Sequence, residues 1–179
     1  MDYKVFYTEL FRPIEKTFGR LDSAGIFHII GFNCGGPLNF STFGREEGKN
    51  FITYVSCELC AYEQQVPSSR GRFELMCHCN DEEWVRRVLT KIGQMSLDST
   101  FDHGHTIDIS AIEGKGAFLC GVIFEYFSSV EIDSTPYCVL RVHGISAEEM
   151  HLAIEKGADA LFQRLKKTGI YPNTDVNRT

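Results

Sequence analysis

The sequence has no uninterrupted apolar stretch of the ~18 residues that a membrane helix needs. Its best candidate, residues 117–127 (AFLCGVIFEYF), is too short and carries Glu125, so no membrane partner is expected. Basic runs are also missing: none exceeds the pairs Arg86-Arg87 and Lys166-Lys167, and the formal charge is −6. Phosphate neutralisation needs clustered Lys and Arg, so no nucleic-acid partner is expected either. The opening MDYKVFYTELFRPIEKTFGR carries charges throughout and lacks the apolar core of a signal peptide. Seven cysteines, an odd number at irregular spacing, do not suggest a secreted disulfide framework. A reducing cytoplasm is the simplest home. Internal repeats, low-complexity tracts and linkers are absent, so the 179 residues read as one domain.

Catalytic signatures are equally scarce. There is no GxSxG elbow, and the glycines of NCGGP (residues 33–37) are not followed by a phosphate-loop lysine or a helix start. Cys57, Cys60, Cys77 and Cys79 could in principle supply four thiolates to zinc. On an extended strand, however, Cys57 and Cys60 point to opposite faces, while Cys77 and Cys79 share a face with Phe73 and Leu75. Structural, apolar cysteine is the expectation. No cofactor is expected.

The elements that are present follow a clear order. Val5, Phe6, Leu10, Phe11, Ile14 and Phe18 recur at helical spacing, with Pro13 expected to break or bend the helix. GIFHIIGF (residues 25–32) reads as a strand, residues 33–50 as a loop with a possible strand at 38–43, and FITYVSCELCA (residues 51–61) as another strand. RFELMCHC (residues 72–79) alternates and reads as the second arm of a hairpin with the preceding strand. A helix follows, with Asn80 as its expected N-cap, Glu83 at the third position, and Trp84, Val85, Val88, Leu89 and Ile92 as its apolar stripe. HTIDIS, AFLCGVIFEY and YCVLRVHGI read as three further strands. Ser146 and Glu149 form a capping box for a last helix with Met150, Ile154, Ala158, Leu161, Phe162 and Leu165 buried and Gly169 at its end. The expected fold is α+β: one domain with a mixed or antiparallel sheet and helices packed on it. Within it, residues 1–24 form an N-terminal helical segment, residues 25–170 the body, and residues 171–179 a tail expected to fray.

One stretch looks chemical: FDHGHTID, residues 101–108. His103 and His105 project from one side of an extended chain and could hold a metal with a third ligand from afar, His78 or His143. The competing reading is a loop-to-strand corner in which Gly104 takes an unusual backbone angle and the histidines bond to backbone. We read the octet as a corner first and a partner-contact candidate second, through Asp102, His103 and His105. The alternative is a metal-dependent enzyme built on His103 and His105.

The order of motifs carries a resemblance. ITYVSCEL (residues 52–59), GRFELMCHC (71–79) with the Trp84 helix, GHTIDI (104–109) and VLRVHGISAEEM (139–150) before a helix with Glu155, Gly157 and Leu161 together resemble the suppressor-of-fused family, short bacterial single-domain type. The likeness runs over roughly residues 27–168. It implies an α+β binding domain without cofactor. Eukaryotic relatives clasp an extended peptide of a transcription factor, and bacterial relatives resemble immunity proteins that neutralise toxins. A protein partner is therefore expected, a toxin or a regulatory protein, met by surface or strand-edge recognition through residues 44–50, residues 64–72 and the FDHGH corner.

Overall fold

The computed structural model describes residues 3–23, 32–46, 48–114 and 116–178. Helix α1 (Tyr3–Phe18) runs through Pro13 without interruption. It buries Phe6, Leu10, Phe11 and Ile14, while Val5, assigned to the same stripe, is exposed. Most of the strand expected at residues 25–32 lies outside the described residues; its last residue, Phe32, opens a single 3-10 turn (Phe32–Cys34).

The strands are β1 (Leu21–Ser23), β2 (Phe40–Phe43), β3 (Ile52–Ser56), β4 (Arg72–Cys79), β5 (Thr106–Asp108), β6 (Gly121–Ile132) and β7 (Thr135–Ile145). Among the described residues they form one seven-stranded sheet in the order β1-β2-β3-β4-β7-β6-β5. Among the described strands only the β4–β7 pair is parallel and the other pairs are antiparallel, so of the two expected arrangements, mixed or antiparallel, the sheet is mixed. β3 and β4 pair as the hairpin that their alternation implied, with Ile52 opposite Cys79.

Three cores hold the sheet. On one face, α2 (Glu82–Met95) lays Trp84, Val85, Val88, Leu89 and Ile92 over Phe73, Leu75, Cys77, Val122, Phe124, Leu140 and Val142. On the other, α1 covers Phe43, Val55, Met76 and Val139, while, after the one-turn α3 (Ser110–Glu113), α4 (Ala147–Lys156) and α5 (Ala158–Lys167) cover Ile123 and Ile145. Covering both faces explains why β6 and β7 read as near-continuous apolar runs in their buried halves.

Several boundaries differ from expectation for local reasons. The α2 cap is Asp81, whose Oδ1 accepts the Trp84 amide at 2.7 Å; Asn80 is occupied with the segment after α5. The last helix is two helices, because Gly157 takes φ +87 between them, and Ile154, expected to be buried, is 67% exposed. The β3 strand ends at Ser56 and gives way to a 3-10 turn (Leu59–Ala61). That turn carries Cys57 and Cys60 to the same side of the sheet, not to opposite faces. The tail expected to fray is docked: Thr174 is buried, its amide donates to the His78 carbonyl at 2.7 Å, and Arg178 pairs with Glu149 at 2.6 Å. The partners of Thr174 and Arg178 come from β4 and α4, which the local sequence does not reveal.

Candidate functional site

The FDHGH corner leads from the end of α2 into β5 and bonds to the neighbouring strand β6. Gly104 has φ +84, a region where L side chains are strained, and a Cβ there would lie 3.1 Å from Ala158 Cβ. This conformation aims the Gly104 amide at the Phe124 carbonyl (2.8 Å) and the His105 carbonyl at the Phe124 amide (3.0 Å). Asp102 closes the corner, accepting the His103 amide at 3.0 Å and the Ser69 amide at 2.9 Å. Partial burial raises the Asp102 pKa, but the Ser69 and His103 hydrogen bonds outweigh it and hold the carboxyl below its ordinary value.

His103 Nδ1 accepts the Tyr126 amide at 3.2 Å, and its ring packs on Phe162 with centroids 5.6 Å apart. His105 is exposed. The third ligands considered for a metal lie elsewhere: His78 Nδ1 bonds to Thr53 Oγ1 at 2.8 Å, and His143 Nε2 to Glu125 at 2.9 Å. Among the described residues, no three His, Cys, Asp or Glu side chains converge on a possible ion position. The corner thus joins two of the contact candidates, since Ser69 bonds Asp102 and the Arg70 guanidinium stacks over Tyr126 at 4.1 Å. The third candidate, residues 44–50, borders a separate pocket of about 310 Å³ lined by Phe18, Lys49, Phe51 and His78.

Beyond the corner, β6 continues and β5 does not. The β5 pairing covers only Gly121–Ile123 and is extended by the corner to Phe124 and Tyr126. β6 runs on to Ile132 and turns into β7 through Asp133 (φ 51) and Ser134 (φ 59), a two-residue primed turn. Ile132 and Thr135 flank that turn as a hydrogen-bonded pair, so by alternation Ser129 and Glu131 direct their backbone groups away from β7. Pro136, opposite Glu131, occupies a position where its missing amide costs no bond to β6. Among the described residues nothing pairs with this outer edge past Tyr126.

The inner face of the same two strands carries a polar strip between the α1 core and the α4–α5 core. Glu125 Oε2 meets His143 Nε2 at 2.9 Å and Arg141 at 3.3 Å, and Tyr171 Oη donates to Glu125 Oε1 at 3.1 Å. The Arg141 guanidinium lies against the rings of Phe127 (4.7 Å) and Phe18 (5.4 Å). Burial pushes His143 down despite Glu125. Burial also raises Glu125, but the hydrogen bond and charge of His143 with the charge of Arg141 hold it below its usual value. The sequence signal for this strip was three polar residues at one parity in otherwise apolar strands, which our reading of local motifs passed over.

Glu74, a fully buried carboxylate, accepts from the Leu59 amide (3.2 Å), the Cys60 amide (3.1 Å), Tyr7 Oη (3.1 Å) and Ser56 Oγ. Burial raises its pKa and also lifts the Cys57 thiol to about 12. All seven cysteines are free, and around Glu74 the buried Cys60 and the partly buried Cys57 pack among apolar side chains.

No curated protein matches the chain by sequence. The chain is similar in fold to solved structures at 14% identity. In the Sufu–Fu complex it covers 99% of this chain and 90% of that one, with a TM-score of 0.71. For Drosophila Suppressor of Fused the figures are 14% identity, 97% of this chain, 49% of that one and 0.70, so the chain spans about half of that protein. For a putative SUFU homolog from Neisseria gonorrhoeae FA 1090 they are 14% identity, 98%, 96% and 0.65. The sequence profile described as Suppressor of fused protein (SUFU) matches residues 35–179. With most of its length under that profile and the same sheet-and-helix architecture, this chain belongs to the suppressor of fused protein family.

Proposed function

We propose that this protein is a non-enzymatic protein-binding module that takes an extended segment of its partner as an added strand on the outer edge of β6, next to the FDHGH corner. The observation that carries this reading is the open backbone edge at Ser129 and Glu131 beyond the point where His103 ends the β5 pairing. Added strands gain affinity from main-chain bonds and specificity from flanking side chains, here Asp102, His103, His105 and the Arg70–Tyr126 stack. A structural relative is found in a Sufu–Fu complex, which agrees with a binding role. The charge of −6 favours a basic partner, because complementary charge speeds encounter. Within that class we favour an immunity protein facing a toxin, or a regulator that sequesters its partner, in the cytoplasm.

The test is affinity capture from the native host with the wild-type chain and with Ser129→Pro, which removes one outward amide. Wild type is expected to enrich one protein that the variant loses, while both unfold at the same urea midpoint. A partner held equally by both would remove the β6 edge from the account, and no partner at native expression would end the binding reading.

A further inference from the structure

β4 and β7 keep parallel register from Arg72 opposite Tyr137 to Met76 opposite Arg141. Beyond that point the segment after α5 lies between them. The Thr174 amide donates to the His78 carbonyl of β4 at 2.7 Å, and Thr174 Oγ1 accepts the Gly144 amide of β7 at 3.0 Å. A side-chain hydroxyl thus stands where a neighbouring strand would offer a carbonyl, and Thr174 makes a parallel bridge to Cys79.

The slot is shaped for this residue. Thr174 is 1% exposed. A Cβ on residue 144 would lie 2.8 Å from Thr174 Cγ2 and 3.2 Å from Trp84 Cζ2, so only glycine leaves room for the threonine methyl. The following residues are recognised one by one. Asn80 Nδ2 donates to Asp175 Oδ1 at 2.6 Å, and Asn80 Oδ1 accepts the Val176 amide at 3.0 Å. Val176 packs against the α2 core. Arg178 donates to Glu149 Oε2 at 2.6 Å and stacks over Phe118 at 5.3 Å. Main-chain bonds, a fitted pocket, an amide clamp and a terminal charge pair are the means by which a groove reads a peptide from another molecule.

We propose that the slot between β4 and β7 is a recognition site for an extended Thr-Asp-Val-x-Arg segment, filled in cis by residues 174–178 and open to the same segment of a second copy of this chain. Such an exchange replaces each contact with its equal, which makes it a low-cost route to association. It does not depend on the β6 edge. In cis the tethered segment has an effective concentration on the order of millimolar, so it outcompetes a free peptide until it is weakened.

The test uses the full chain. A labelled peptide with the sequence of residues 171–179 is titrated into wild type and into the double variant Thr174→Glu, Arg178→Glu. The variant is expected to bind at least about tenfold tighter than wild type, because its own segment no longer competes. A peptide with valine at the threonine position is expected to bind about tenfold weaker, since it leaves the Gly144 amide buried without an acceptor. A variant that keeps its near-ultraviolet circular dichroism and does not bind overturns the proposal. Native-state hydrogen exchange on wild type decides the matter if the variant unfolds. The Thr174 and Val176 amides should exchange at least about tenfold faster than that of Leu140, through local opening. Exchange as slow as Leu140 would make the segment an integral strand and end the idea.

Discussion

The Nδ1 atom of His103 accepts the Tyr126 amide at 3.2 Å, in the place where β5, had it continued, would have offered a backbone carbonyl. One imidazole therefore ends one strand and leaves the rest of its neighbour open. That is a structural role for a histidine in a motif that also resembled a metal site, and it sets the register at which a partner strand could begin.

Replacing His103 with alanine removes this acceptor at a half-exposed site, so we expect a loss of about 0.5–1.5 kcal/mol in urea denaturation and faster exchange of the Tyr126 amide. Gly104→Ala strains a φ of +84 and crowds Ala158, for an expected loss of about 1–2 kcal/mol. If both substitutions leave the urea midpoint and the Tyr126 exchange rate unchanged, the corner is not what fixes this edge.

Glu74, itself fully buried, collects four donors. Glu74→Leu leaves the Leu59 and Cys60 amides and two hydroxyls without acceptors. Each unpaired buried group costs about 1–3 kcal/mol, with partial relaxation expected, so the variant should lose roughly 3–5 kcal/mol. A urea-derived loss below about 1 kcal/mol would mean the shell rearranges around leucine.

Arg141→Met leaves the partly buried Glu125 with His143 and Tyr171 but without its arginine; removing one partner from a fully buried pair typically costs about 3–5 kcal/mol, so a loss of about 2–3 kcal/mol is expected here. The double variant Arg141→Met, Glu125→Leu should recover at least half of that loss, because the uncompensated charge is gone. Additive losses in the double variant would show that packing against Phe18 and Phe127 matters more than the charge pair.

Acid should destabilise the protein from mildly acidic pH downward. Burial, with Arg141 and Lys49 nearby, pushes His78 down to about 4, and burial pushes His143 down as well. Below the unfolded histidine value of about 6.5, the unfolded chain therefore binds more protons than the folded one. The stability due to these groups is complete above about 6.5 and is lost as pH falls, for His78 through about 4. Glu125, also depressed, adds to the loss at lower pH, whereas the raised Glu74 acts in the opposite sense, its contribution fading as pH rises. Urea midpoints measured from pH 7.5 to 4 should fall, and fall less steeply in His78→Gln. A midpoint that rises steadily over that range would contradict the burial of both imidazoles.

Local chemistry alone was enough for several parts of this molecule. The alternation of residues 72–79 assigned each side chain of β4 to its face, because a strand has no other period available. The Ser146–Glu149 capping box, the α2 stripe and the Gly169 stop were legible for the same reason: each is settled within one or two turns of chain. The octet at residues 101–108 was readable as a corner, since glycine flanked by polar residues has few other uses. Other features depended on residues far apart in the chain. Asn80 was free to cap α2 as far as its neighbours could tell, and only the arrival of Asp175 and Val176 took it away. The four residues of the Glu125 strip meet because β6 and β7 pair and α5 delivers Tyr171 beside them. Short-range bonding preferences are written into adjacent residues, whereas the partners of a buried polar group, and the strand edges left without one, exist only after the sheet has closed.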